Sequence, residues 1–272
     1  MRPSLHPLHE FTAESCRNIT GVLADIDDTL TTDGKLSAAS YTALENLRAA
    51  GLIVIPVTGR PAGWCDLIAR MWPVDAVVGE NGAFWMRYDT KLGRLRTVTV
   101  ADASLHAQRR AKLDLLAHQI LTVVPGCAMA SDQFCRMADI AIDFCEDVTP
   151  LPPAAIDEIV RLMHAAGLTA KVSSIHVNGW LGDYDKLSTT RRMLAEEFAS
   201  DISEEAERER WVFIGDSPND APMFSYFPNA VGVANVMTHI DRIATLPAWI
   251  TPSSSGTGFV ELAKKLLQSR VT

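Results

Sequence analysis

A chain of 272 residues, 47 % of them hydrophobic, is long enough for one large domain or two modest ones around a sizeable core. Its formal charge of −8 gives no electrostatic support to a nucleic-acid or anionic-membrane partner, so an anionic substrate has to be met by local cations or a metal. No apolar run is long enough to span a bilayer, the opening MRPSLHPLHEFTAES lacks the apolar segment of a secretory leader, and the five cysteines (Cys16, Cys65, Cys127, Cys135, Cys145) form no CxxC pair; a cytoplasmic protein with reduced thiols is expected.

His6 and His9 read as part of an N-terminal tail rather than a metal pair. From Gly21 the chain alternates. GVLADI is strand-like, TTDGK is a turn, and Ser37 is placed as the N-cap of a helix with Tyr41, Leu44 and Leu47 on one face. LIVIPV at 52–57 is an unbroken apolar run of the kind buried on both faces. A helix from Pro61 to Met71 and a strand DAVVG at 75–79 follow, and this order predicts a parallel sheet with right-handed crossovers. After GENGAFW the rhythm changes: LRTVTVAD is a half-exposed strand, Ser104 to Val123 an amphipathic helix, DIAIDF at 139–144 alternates with period two, and a helix from Pro152 to Ala166 leads into KVSSIHVNGW. The first rhythm returns with a helix near Asp185, the strand WVFIGD, then AVGVA at 230–234 and WIT at 249–251. The expected architecture is α/β: a Rossmann-like parallel-sheet core in two pieces, 1–85 and 183–272, with an inserted α+β cap at 86–182.

In such a sheet the carboxyl ends of the strands share one edge, and ligands bind there. The first strand delivers Asp25 and Asp27, the second Thr58, Gly59 and Arg60, and WVFIGD delivers Asp216 with Asn219 and Asp220 behind it; Lys186 opens the helix after the insertion. Crowded carboxylates repel, and each buried charge costs several kcal/mol unless compensated. A hard divalent cation such as Mg²⁺ suits all-oxygen ligands. Each stretch by itself also reads as an ordinary turn, cap or surface lysine; the order and the strand-end placement together favour a phosphate site.

DIDDTL, VTGR, the lysine of DYDK, and GDSPND resemble, in order, the four motifs of the haloacid dehalogenase-like phosphatase superfamily. The insertion after GENGA resembles that of the large-cap type, which includes the Cof group of sugar phosphatases, sucrose- and trehalose-phosphate phosphatases and phosphomannomutases. The resemblance covers nearly the whole chain beyond residue 20 and is weaker in the cap. It implies Asp25 as nucleophile, Asp27 as acid and base, Thr58 and the Gly59 N–H on the phosphoryl oxygens, and Lys186 neutralising both. It further implies a Mg²⁺ ion on Asp25, the backbone carbonyl of Asp27, and Asp216, with Asn219 and Asp220 supporting the metal or the lysine. Arg60, Asn81 and Asn219 join Gly59 as candidate substrate contacts, and Asp220 joins the metal set. One departure is Asp28, where many large-cap members have glycine.

The cap is expected to close over the site and choose the leaving group through Glu80 and Asn81 and through Ser173, Ser174, His176, Asn178 and Trp180, or else to hold those side chains merely packed or solvated. Trp64 reads as a core residue. The implied substrate is a small phosphorylated metabolite, with a sugar phosphate favoured. A phosphomutase is the rival among enzymes, and a phospho-accepting signalling protein the rival outside them. Nothing in these residues speaks to oligomeric state.

Overall fold

The computed structural model describes residues 5–270. Six strands form one parallel sheet in the order His6–Pro7, Trp249–Ile250, Asn229–Gly232, Trp211–Gly215, Gly21–Ala24, Ile53–Pro56. Alternate residues serve opposite faces, which is why these strands read as continuous apolar runs. Val22, Val54, Val212 and Ile214 pack with Leu44, Leu47 and Leu262 on one side; Leu23, Ile55, Trp211 and Phe213 pack with Met193, Leu194 and Phe224 on the other. Ser37 caps the helix Ala38–Ala49 as expected, its hydroxyl oxygen accepting the Ser40 N–H at 3.0 Å.

Four expectations change. The N-terminal segment is no tail: His6–Pro7 pairs with Trp249–Ile250, Leu8 and Phe11 are buried, and Phe11 stacks on Trp249. The strand Val77–Gly79 touches the parallel sheet through a single bridge, Val57 to Val78, and pairs antiparallel with Phe84–Asp89, which continues into Arg94–Thr99. The bridge is parallel, as a crossover through the helix Ala62–Met71 requires, and the turn at Glu80–Gly82 then reverses the chain at once into a hairpin. That hairpin packs on the parallel-sheet body through Phe84, Met86, Trp85 and Val98, so a boundary at residue 86 falls inside one of its strands.

The fourth change concerns the cap. Its antiparallel sheet runs in the order Thr169–Val172, His176–Trp180, Asp139–Asp143, Ala128–Met129. Ile140, Ile142 and Val177 face the helices Ala103–Val123 and Pro153–Ala165, meeting Leu113, Ile120 and Ile159. The alternating polar residues Asp139, Asp143, His176 and Asn178 are buried as well. The face expected to be wet closes on the core.

Candidate active site

Asp25, Thr58 and Asp216 each follow the last residues of neighbouring parallel strands, Gly21–Ala24, Ile53–Pro56 and Trp211–Gly215, so the topology gathers them on one edge. Lys186 is the first residue of the helix Lys186–Phe198, whose N-cap Asp185 and Ser188 form a reciprocal capping box. That helix is docked by the Glu80–Gly82 turn. Thr189 donates its hydroxyl to the Gly82 carbonyl at 2.6 Å. Gly82 has φ +106°, and a Cβ there would lie 2.2 Å from the Asp185 carbonyl oxygen, so both backbone and space demand glycine.

Lys186 Nζ lies 2.6 Å from Asp25 Oδ1 and 2.8 Å from Asp220 Oδ1, all three side chains being buried. Asp220 Oδ2 accepts the N–H groups of Asp216 (3.1 Å) and Ser217 (3.2 Å), so both its oxygens are engaged. Among the described residues Asp216 has only neutral donors: the Thr29 hydroxyl at 3.1 Å and the Asn235 amide at 3.3 Å. One oxygen from each of Asp25, Asp216 and Asp220 lies within 4.8 Å of the others, a geometry that can hold a metal ion. The single ammonium does not offset three buried carboxylates. Burial, opposed by Lys186 and aided by Asp220 and Asp27, pushes the Asp25 carboxyl up to about 8. Burial and the charges of Asp25 and Asp220 push Asp216 well above the carboxylate range. Against the cost of its own burial, Asp220 and Asp25 hold Lys186 protonated, above the ordinary lysine value. An all-oxygen, charge-rich donor set of this kind fits a hard divalent cation.

Asp27 points elsewhere. Its carboxylate takes the Arg60 Nε at 3.0 Å and a terminal nitrogen at 2.8 Å. The other donors of that buried guanidinium go to the cap, to Glu146 at 2.6 Å and Asp132 at 3.4 Å, so Arg60 is committed to carboxylates from both bodies. Although burial opposes it, His176, 2.9 Å away, and Arg60 hold Glu146 down at about 2. The loop carrying Glu146 is itself set by Asp143, which accepts the N–H groups of Cys145, Glu146 and Asp147. Trp64, expected in the core, lies at the surface with its ring 4.3 Å from the Arg60 guanidinium carbon.

Asp25, Asp27, Gly59, Arg60, Asn219 and the cap residues Ser173, Ile175, His176 and Asn178 enclose a cavity of about 10 Å³, room for roughly one water. Beside it Asp27, Asp28, Asp33, Arg60, Cys145 and Glu146 line a second of about 250 Å³. Thr58 is buried and its hydroxyl oxygen accepts the Arg60 N–H. Asn81, buried in the left-handed conformation, accepts from Asn219 at 3.3 Å, while its own amide nitrogen has no partner among the described residues and lies next to Gly59. Two cap-facing expectations move. Trp180 is buried with core residues and lines neither cavity, and Glu80 spends both oxygens on the N–H groups of Ala62, Met137, Ala138 and Asp139. Asp28 has φ +55°, the backbone that explains glycine's fitness at this position. Thr29, Asp132, Glu146 and Asn235 escaped the sequence reading; the carboxylates that follow the strand Asp139–Asp143 were the available signal for Glu146.

The haloacid dehalogenase-like hydrolase family profile matches residues 22–103. A phosphoglycolate phosphatase of Methanosarcina mazei is 26 % identical over 242 residues, 88 % of this chain and 93 % of its own. In fold, a Thermoplasma acidophilum protein superposes with a TM-score of 0.68 at 17 % identity, over 92 % of this chain and 99 % of its own. The Synechocystis sucrose-phosphatase, solved with sucrose and phosphate, gives 0.62 at 19 %, over 92 % and 98 %. Among the described residues no helix is long and apolar enough to cross a membrane. A parallel sheet with an inserted antiparallel cap, acids gathered at its carboxyl edge and these sequence matches agree: the chain is similar to haloacid dehalogenase-like hydrolases, a phosphatase among them.

Proposed function

We propose that this protein is a haloacid dehalogenase-like phosphatase that hydrolyses a sugar or polyol phosphate with Mg²⁺ through an aspartyl-phosphate. The observation that carries the reading is the buried set Asp25, Asp216, Asp220 and Lys186 at the ends of adjacent strands. Asp25 and Asp216 would hold the ion, which supplies charge stabilisation for the phosphoryl oxygens. Asp220 is the less suited ligand, because its two oxygens already hold Lys186 and the backbone N–H groups of Asp216 and Ser217.

An Asp25 carboxylate oxygen attacks phosphorus as the bond to the leaving oxygen breaks, and Asp27 gives that oxygen its proton. Asp27 then takes a proton from water, whose oxygen attacks the same phosphorus; phosphate leaves and the Asp25 carboxylate is regenerated. Lys186, Thr58, the Gly59 N–H and the unpartnered Asn81 amide are the donors on hand for the phosphoryl oxygens. Arg60 orients Asp27. A cavity of about 10 Å³ at Asp25 is too small for a substrate, so the cap has to move for entry and exit.

The 250 Å³ cavity bears on the leaving group. Its carboxylates, Asp27, Asp28, Asp33 and Glu146, are acceptors suited to hydroxyls. A carboxylate on the substrate would meet each of them with a repulsion of about 3 kcal/mol at 5 Å for an effective dielectric constant near 20. Glycolate therefore fits this cavity poorly, whatever the Methanosarcina relative hydrolyses.

Phosphate release from sugar, polyol, acyl and nucleotide phosphates and from phosphoglycolate, with Mg²⁺ or chelator, tests the reading with Asp25→Asn as the blank. Metal-dependent release concentrated on sugar or polyol phosphates is expected. Wild-type-like release by Asp25→Asn overturns the nucleophile, and a preference for phosphoglycolate overturns the substrate class.

A further inference from the structure

The helix Ala62–Met71 turns Cys65, Ile68 and Ala69 inward and leaves Trp64, Leu67 and Met71 exposed by 43, 52 and 68 %. These three recur at i, i+3 and i+7, one continuous stripe on the outer face. Across the seam with the cap, Phe134 is 89 % exposed and Met137 40 %. The two surfaces adjoin, since a Cβ on Gly63 would lie 2.9 Å from the Cys135 side chain. Single exposed apolar residues are ordinary. Five neighbours leave on the order of 600 Å² in water, the upper end for a monomer's largest patch and most of the roughly 800 Å² per partner of a stable interface.

The charges on this face say what covers it. Asp66 and Arg70 lie beside the stripe and pair at 2.7 Å, so the helix carries no net charge on a chain of net charge −8. A second copy of this acidic chain can approach here without repulsion. Two such helices packed antiparallel about a twofold axis near Ile68 would set Asp66 of each opposite Arg70 of the other, a self-complementary arrangement.

We propose that this face is a homodimer interface, with the helix Ala62–Met71 packed on its symmetry mate and Phe134 buried beside it. The interface reaches the catalytic cleft, because the Trp64 ring carries Arg60, whose other partners are Asp27 and the cap's Glu146 and Asp132.

Sedimentation equilibrium of the full chain, from micromolar to hundred-micromolar concentrations, tests it. The wild type is expected to dimerise, and Leu67→Glu with Met71→Glu to be monomeric with an unchanged far-UV circular dichroism spectrum. Asp66→Arg should weaken the dimer about tenfold or more, and adding Arg70→Asp should restore it, because the swapped pair is again complementary. A monomeric wild type throughout, or a dimer that survives the double glutamate variant, overturns the proposal. Failure of the charge swap to restore association overturns the antiparallel twofold.

Discussion

Replacing Glu80 with glutamine opposes two effects whose sizes can be worked out. The carboxylate receives the Ala62 and Met137 N–H groups on one oxygen, at 3.0 and 2.8 Å. The other oxygen takes those of Ala138 and Asp139, at 2.6 and 3.3 Å, so one side chain straps the core helix to the cap. An amide keeps one pair and turns an NH₂ toward the other, leaving two buried donors unmet at about 1–3 kcal/mol each, or roughly 4 kcal/mol together. Against this, burial and the Asp139 charge push the Glu80 carboxyl from 4.5 to about 7. A folded-state value above the unfolded one means the group's stabilisation is complete below pH 4.5 and is lost as pH rises through 7, by about 3 kcal/mol. Glutamine has no such loss. Glu80→Gln should therefore cost less near pH 8 than near pH 5, by roughly 3 kcal/mol. Urea unfolding of both proteins at the two pH values measures the gap. A gap that stays constant or widens at high pH would refute the reasoning.

Other perturbations act closer to the chemistry. Lys186→Met leaves Asp25 and Asp220 facing each other without their cation; a loss of about 3–5 kcal/mol in unfolding free energy at pH 8 is expected, together with loss of phosphate release. Gly82→Ala drives a Cβ to 2.2 Å from the Asp185 carbonyl and strains a left-handed residue; it should cost about 2–4 kcal/mol and lower kcat by displacing Lys186, read by thermal melting and steady-state kinetics. Mg²⁺ at a hundredfold excess over its Kd should stabilise the wild type by about 3 kcal/mol in thermal shift. Asp216→Asn should abolish that gain, and an equal gain in the variant would remove Asp216 from the metal set.

The proposed opening of the cap connects these effects. The cap is tied down by Glu80 on one side of the cleft and by Arg60 with Glu146 and Asp132 on the other. Both ties are made of charges meeting donors across the seam. Weakening either should change substrate entry before it changes the phosphoryl chemistry.

What the sequence determined by itself was local. A buried run ending in Asp25, a glycine-flanked Thr58, a strand ending in Asp216 and a capped helix opening with Lys186 were all legible, because strand period, capping chemistry and strand-end placement act within a few residues. The edge that gathers them then follows from parallel topology. What only the tertiary structure decided was long-range. Arg60 meets Glu146 across 86 positions, and Glu80 meets Ala138 across 58. The two-residue strand His6–Pro7 has no periodicity to read and exists because Trp249–Ile250 offers an open edge. Trp64 has the composition of a core residue, yet its helix buries only the face carrying Cys65, Ile68 and Ala69. The polar face of the cap sheet alternates as an exposed one would, and only docking on the core removes it from water. Local propensity specifies the elements, whereas which face is dry depends on what the rest of the chain places against it.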